Sequence, residues 1–336
     1  MKKMRNRCLA ITSFLNKKVI VPHSPITLEV EATNCCNEEC RMCPRKFMSR
    51  PVGHISEALL KKIIEENKNT LELINLFHCG EPLLHPDISK LISICHKANI
   101  KVQITTTGSL LTGEMSYALI NSGLDMIVFS IDAVTKETYS HIRKANFAET
   151  VKNIENFIEM KRRLGRGPFV QVQIVKMEIN SFEIKKFQSY WRKKADSVRI
   201  KPFYNTGDIA SKLNYKIDEK REKPRPCIML WREPVVCWDG TVLPCCVDLI
   251  GQYPIGNIQK DSLKNIWNGE KIQEMRRLHI EGRYKEIELC RNCTIFQVKL
   301  PFVLGSVLLD DLTIRKINPF IESLDTVYGL KKFSHF

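Results

Sequence analysis

The chain of 336 residues lacks any apolar run approaching the roughly 18 residues that span a bilayer. It also lacks a small-residue cleavage site after its first apolar patch. Cys8 to Leu15 runs straight into Asn16-Lys-Lys-Val-Ile, whereas a secretory signal needs such a site. The first 25 residues are therefore expected to be an exposed basic extension. No internal repeat and no low-complexity tract occurs. No aromatic-plus-basic motif accompanies the net charge of +15. The charge thus reads as a lysine-rich solvated surface, not a nucleic-acid footprint. A disulfide framework is missing too. The 13 cysteines are odd in number and clustered. In a large chain without an export signal, that pattern points to metal binding in a reducing, cytoplasmic setting.

What is present is alternation. Short β-like runs at Ile26–Ala32, Leu73–Phe77, Lys101–Thr106, Asp125–Ile131, Val170–Val175 and Ser197–Phe203 are separated by helical patterns. Those patterns lie near Ser56–Asn67, Pro86–Ala98, Thr112–Asn121, Ala148–Leu164 and Ser181–Lys193. Ser56 before Leu59, Leu60, Ile63 and Ile64 marks a capped amphipathic helix. This order predicts an α/β fold with a parallel sheet whose strands are covered on both faces. An open partial barrel and a doubly wound sheet both fit the periodicity. Residues 205–226 are charged and poor in large apolar side chains, as in a linker. Beyond them, Trp238-Asp239-Gly240-Thr241 between Val235–Cys237 and Val242–Cys245 predicts a hairpin. A helix is expected near Lys264–Leu278, and residues 300–336 form a tail.

The chemistry sits in two cysteine groups. Cys36, Cys40 and Cys43 follow the first strand within eight residues. Three thiolates cannot close a four-iron cluster, in which each iron takes one outer ligand; one iron stays open. Zinc would need a fourth ligand such as Cys35 or His54. The triplet alone does not separate the two metals. The second group comprises Cys227, Cys237, Cys245, Cys246, Cys290 and Cys293, and no cysteine follows.

Four segments together resemble the radical S-adenosylmethionine (SAM) superfamily. The triplet is one. Gly80-Glu81-Pro82 resembles the family's Gly-Gly-Glu-Pro motif, with Cys79 in place of the first glycine. Thr106-Thr107-Gly108-Ser109-Leu110-Leu111 resembles its Thr-Asn-Gly-x-Leu-Leu run, with Thr107 replacing asparagine. Ser130-Ile131-Asp132, with Tyr139 and Arg143 beyond, resembles its Ser-x-Asp…Arg set. The resemblance covers residues 26–204 and implies a partial (β/α)6 TIM-like barrel. It implies SAM at the open iron of a [4Fe–4S] cluster held by Cys36, Cys40 and Cys43. Gly80 and Glu81 would meet its amino group, with Thr107, Ser130, Asp132 and Arg143 contributing to the same site. The implied chemistry is reductive cleavage of SAM to a 5′-deoxyadenosyl radical that abstracts hydrogen from a substrate. An electron donor such as flavodoxin or ferredoxin is implied as partner.

The order Cys227…Gly240-x4-Cys245…Cys290-x2-Cys293, with Gly256-Asn-Ile258 and Ile266-Trp267, resembles the SPASM and twitch extensions of that superfamily. It implies a small α+β domain over residues 227–299, carrying one auxiliary [4Fe–4S] cluster on Cys227, Cys245, Cys290 and Cys293. Cys246 competes with Cys245, and Cys237 reads as a packed strand residue. Four filled positions suit electron transfer, hence a two-electron oxidation of a sugar, aminocyclitol or nucleotide-sugar. The alternatives are a peptide or protein maturase and a zinc-stabilised nucleic-acid-binding protein. The roughly 25 residues before the first strand are too few for a leader-binding domain. Proton acceptors are expected among His78, Arg199, Lys201 and Tyr204 at the strand ends.

Overall fold

The computed structural model describes residues 1–203 and 226–294, together with Thr313. The expected linker, apart from Pro226, and the expected tail, apart from Thr313, lie outside the described residues, as does Tyr204.

Among the described residues, six strands run parallel in chain order: β1 (Thr27–Val30), β2 (Leu73–Asn75), β3 (Lys101–Thr106), β4 (Met126–Ser130), β5 (Phe169–Lys176) and β6 (Ser197–Pro202). Helix α1 (Lys2–Leu15) precedes them. Helices α2 (Glu57–Asn67), α3 (Ile88–Lys97), α4 (Gly113–Asn121), α5 (Lys136–Ile142), α6 (Phe147–Leu164) and α7 (Ile184–Trp191) join them. The helix starts follow local chemistry. Ser56, Thr112, Thr135 and Asn146 each accept a backbone N–H of the first turn, and α6 ends on Gly165 at φ +64°.

Alternation along the strands sorts the side chains. Leu28, Val30, Ile74, Val102, Ile104, Ile127, Phe129, Val170, Val172 and Ile174 pack against helix residues such as Leu60, Ile63, Leu91, Ile154, Phe157 and Phe187. The opposite face is also covered, but its residues are largely polar. Glu29, Asn75 and Gln103 align across β1, β2 and β3, and Gln173 aligns with Arg199 across β5 and β6. Glu29, Asn75, Gln103, Gln171 and Gln173 are all buried. Leu73, Met126 and Val128, with Phe169 beside them, form an apolar plug on this side.

Four features depart from the sequence reading. The first 25 residues are not an exposed arm, because α1 docks on the body. Asn6, Ala10, Ser13 and Phe14 are buried, Arg7 pairs with Glu72, and Phe14 meets Trp231 edge-on at 5.6 Å. The short helix α5 has too few residues to display a period. The helix expected near Lys264–Leu278 is two helices, Leu263–Ile266 and Glu270–Ile280, with Gly269 in extended backbone capping the second. Finally, the C-terminal hairpin continues the barrel sheet. β7 (Val235–Val236) lies parallel to β1, and β8 (Thr241–Leu243) and β9 (Gly256–Asn257) follow antiparallel. Gly240, at φ +82°, makes the turn that Asp239-Gly240 predicts.

Candidate functional site

The loop from Thr33 to Cys43 leaves the C-terminal end of β1 and is clamped from several sides. Asn34 donates to the Pro51 carbonyl at 2.9 Å and accepts from the Gly53 N–H at 2.8 Å. The Arg41 N–H donates to the Ile142 carbonyl at 3.0 Å. The buried Glu38 carboxylate accepts the Lys144 and Ala145 N–H groups at 3.1 and 3.2 Å. These bonds tie the cysteine loop to the end of α5.

The turn after β2 presses on the same loop. A Cβ at Gly80 would stand 2.2 Å from the Thr33 carbonyl oxygen. No other residue fits without moving backbone. The Glu81 N–H then donates to the Cys35 carbonyl at 2.8 Å. Glu81 is itself buried, and its carboxylate accepts Thr106 Oγ1 at 2.6 Å, the Leu83 N–H at 3.1 Å and the Thr107 N–H at 2.9 Å. Burial raises its pKa against those donors. Thr107 is held by Ser109, and Gly108 sits at φ +83° against Ile154.

Ser130 and Asp132 end β4. Asp132 holds φ +64°, a rare conformation for a residue with a side chain. It is pinned there: Oδ1 accepts the Val175 N–H at 2.7 Å, and its carbonyl accepts from Asn180 at 2.9 Å. Arg143 donates to Asp132 Oδ2 from Nη2 at 2.5 Å and from Nε at 3.2 Å. Arg143 Nη2 also donates to Ser130 Oγ at 3.1 Å. The expected site residues on the four loops therefore gather at one end of the sheet.

Burial pushes the Cys36 thiol up to about 11 and the Cys40 thiol up to about 12. Cys43 moves the other way, to about 6, chiefly through a hydrogen bond with Cys79, whose own pKa rises. Cys35 and His54, the candidate fourth ligands for zinc, lie 3.8 Å from each other.

In the second region Cys245, Cys290 and Cys293 share one apolar cluster with Trp231, Trp267, Leu278 and Ile287, and Cys227 packs against it. Burial pushes the Cys227 thiol up to about 12, and the nearby thiol of Cys293 adds to it. Cys245 and Cys290 are raised by burial and by their cysteine neighbours. Cys246, half-buried, packs against the margin of this cluster and also against Val235, Cys237 and Leu243. Cys237 packs with Val235 and Leu243. Among the described residues, no three His, Cys, Asp or Glu side chains stand close enough to grip a single metal ion.

The expected proton acceptors fare differently. His78 donates from Nδ1 to Glu29 at 2.5 Å and from Nε2 to the Asp248 carbonyl at 3.2 Å. Burial pulls its pKa down, but the Glu29 hydrogen bond and charge raise it overall. With both nitrogens facing acceptors, His78 joins the barrel to the hairpin region. Arg199 and Lys201 stand half-buried on β6. Sequence reasoning missed Glu38, the buried Arg50–Glu31 pair at 2.7 Å and the Asn75–Glu233 hydrogen bond at 2.8 Å. Each links positions far apart in the chain, where no local pattern signals the partner.

Comparison with known proteins agrees with this arrangement. The model of the radical SAM superfamily matches residues 30–175, and that of the SPASM iron–sulfur cluster-binding domain matches residues 227–294. The PqqA peptide cyclase of Gluconobacter oxydans is 25% identical over 306 residues, covering 81% of this chain and 84% of its own. The S-adenosyl-L-methionine-dependent 2-deoxy-scyllo-inosamine dehydrogenase of Niallia circulans is 23% identical over 278 residues, covering 81% and 94%. The fold matches the crystal structure of BtrN in complex with AdoMet and 2-DOIA with a TM-score of 0.54 at 20% identity, covering 80% of this chain and 93% of that one. Among the described residues, no helix is long and apolar enough to cross a membrane. The chain belongs to the radical SAM superfamily, as an enzyme with a SPASM-type domain that works with S-adenosylmethionine and [4Fe–4S] clusters.

Proposed function

We propose that the enzyme oxidises a small polar substrate (a sugar, an aminocyclitol or a nucleotide-sugar) by hydrogen abstraction, with one auxiliary cluster accepting the electron. Cys36, Cys40 and Cys43 would hold the first cluster, and Cys227, Cys245, Cys290 and Cys293 the second. When bound, the first cluster and SAM together supply the 5′-deoxyadenosyl radical. The observation that carries the reading is the second cysteine set: Cys245, Cys290 and Cys293 buried in one apolar cluster, with Cys227 packed against it. A cluster with every iron filled by protein suits electron transfer rather than substrate binding.

The chain's own residues orient and enclose. Gly80 lets the loop approach closely, and Glu81, Thr107, Ser130, Asp132 and Arg143 offer the polar contacts for SAM. Buried Asn75, Gln103, Gln171 and Gln173 give the inner face hydrogen-bonding character suited to hydroxyl-bearing molecules. A flavodoxin or ferredoxin would supply the electron, and the cytoplasm the reducing setting. A peptide substrate is the second reading, favoured by the likeness to a peptide cyclase over 81% of this chain.

The test is anaerobic purification, iron counting and SAM cleavage after reduction. About eight irons are expected for two [4Fe–4S] clusters, with cleavage abolished by Cys36→Ala. Stoichiometric zinc without cleavage would overturn the reading. Deuterated sugars and peptides then separate the two substrate classes by label appearing in 5′-deoxyadenosine.

A further inference from the structure

Two sulfurs of the triplet meet a hydrogen-bond donor of fixed geometry. The Glu38 N–H approaches Cys36 Sγ at 3.5 Å. Arg143 Nη1 reaches Cys40 Sγ at 3.2 Å. The first donor is backbone; the second is a side chain. We propose that Arg143 is a positioning residue that sets the reduction potential of the first cluster by donating to the sulfur of Cys40. This rests on the assignment of the triplet as that cluster's ligands.

Arg143 is built for such a role. It is buried, and Asp132 and Ser130 fix its plane. A guanidinium has five N–H groups. Asp132 takes two, Ser130 one and Cys40 one, which leaves one on Nη1 for a carboxylate of SAM. The same side chain can therefore hold SAM and act on the cluster. The pinned, left-handed Asp132 keeps the fork from turning away.

Reduction adds one electron to the cluster and moves no proton. A donor that is also a cation stabilises the added negative charge, so Arg143 raises the potential.

The test is an EPR-monitored potentiometric titration of the anaerobic holoenzyme without SAM. The first cluster's signal is the one that changes when SAM is added afterwards. In Arg143→Gln, the midpoint of that signal is expected to move negative with iron content unchanged. Arg143→Lys, which keeps the charge, should lie nearer the wild type. A wild-type midpoint in Arg143→Gln overturns the proposal; Arg143 would then serve SAM alone. If Arg143→Gln fails to load iron, Asp132→Asn, which loosens the fork that aims Arg143, decides by the same criterion. A SAM-responsive signal that survives Cys36→Ala overturns instead the ligand assignment beneath the proposal.

Discussion

Two neighbouring residues of one type compete for one ligand position here. Cys245 and Cys246 are adjacent, and the Gly240-x4-Cys spacing favours the first. Cys245 is buried within the cluster that holds Cys290 and Cys293, whereas Cys246 is half-buried at its margin and against Val235 and Leu243. Cys245→Ala should therefore lower bound iron by about four per chain, one [4Fe–4S] cluster, while Cys246→Ala leaves the iron count at the wild-type level. Colorimetric iron analysis of the two purified variants checks this. The triplet, Gly80, Thr107 and Ser130 were legible as residues because each lies in a short run with its own spacing. The partners of those residues were not. Glu38 reaches Lys144 and Ala145 across more than a hundred positions.

Among elements, long amphipathic helices and β-branched strands declared themselves through period and caps. The misses were α1 and α5. Seven residues give α5 fewer than two full turns, yet that helix delivers Arg143 to the site. The helix α1 looked like a basic arm because its buried face holds Asn6 and Ser13 beside Ala10 and Phe14. After it, His23 is buried and donates to the Trp231 carbonyl at 2.7 Å. Burial lowers its pKa to about 4. The unfolded chain, near 6.5, then binds more protons between those values. Stability should fall as pH drops from about 6.5 toward 4, by roughly 3 kcal/mol at most. Urea unfolding of the anaerobic holoenzyme across that range should show the slope, and His23→Gln should flatten it.

At the scale of the whole molecule, barrel and SPASM-type region share a sheet. The β1–β7 pair replaces what would otherwise be an open barrel edge. Arg50–Glu31 and His78 reinforce it, and the ring of Trp238 lies where a Cβ on Gly53 would have to go. His78 makes this junction pH-sensitive in the opposite direction to His23. Its folded pKa is raised, so its contribution is full below the unfolded value near 6.5 and is lost as pH climbs through the folded value. Wild-type urea midpoints should decline on that alkaline side, whereas His78→Gln should be lower at acidic pH and lose this dependence.

Chain order and spacing alone pointed to the parallel α/β class and the two cysteine groups, and the resemblance to a known family marked the loops proposed for SAM. Those signals are local: a strand, a turn and its ligands lie close together along the chain. The tertiary structure decided which groups His78 faces, that the hairpin joins β1, and that Arg143 touches a sulfur of the triplet. Such contacts depend on where distant backbones meet, and no spacing within one segment encodes that.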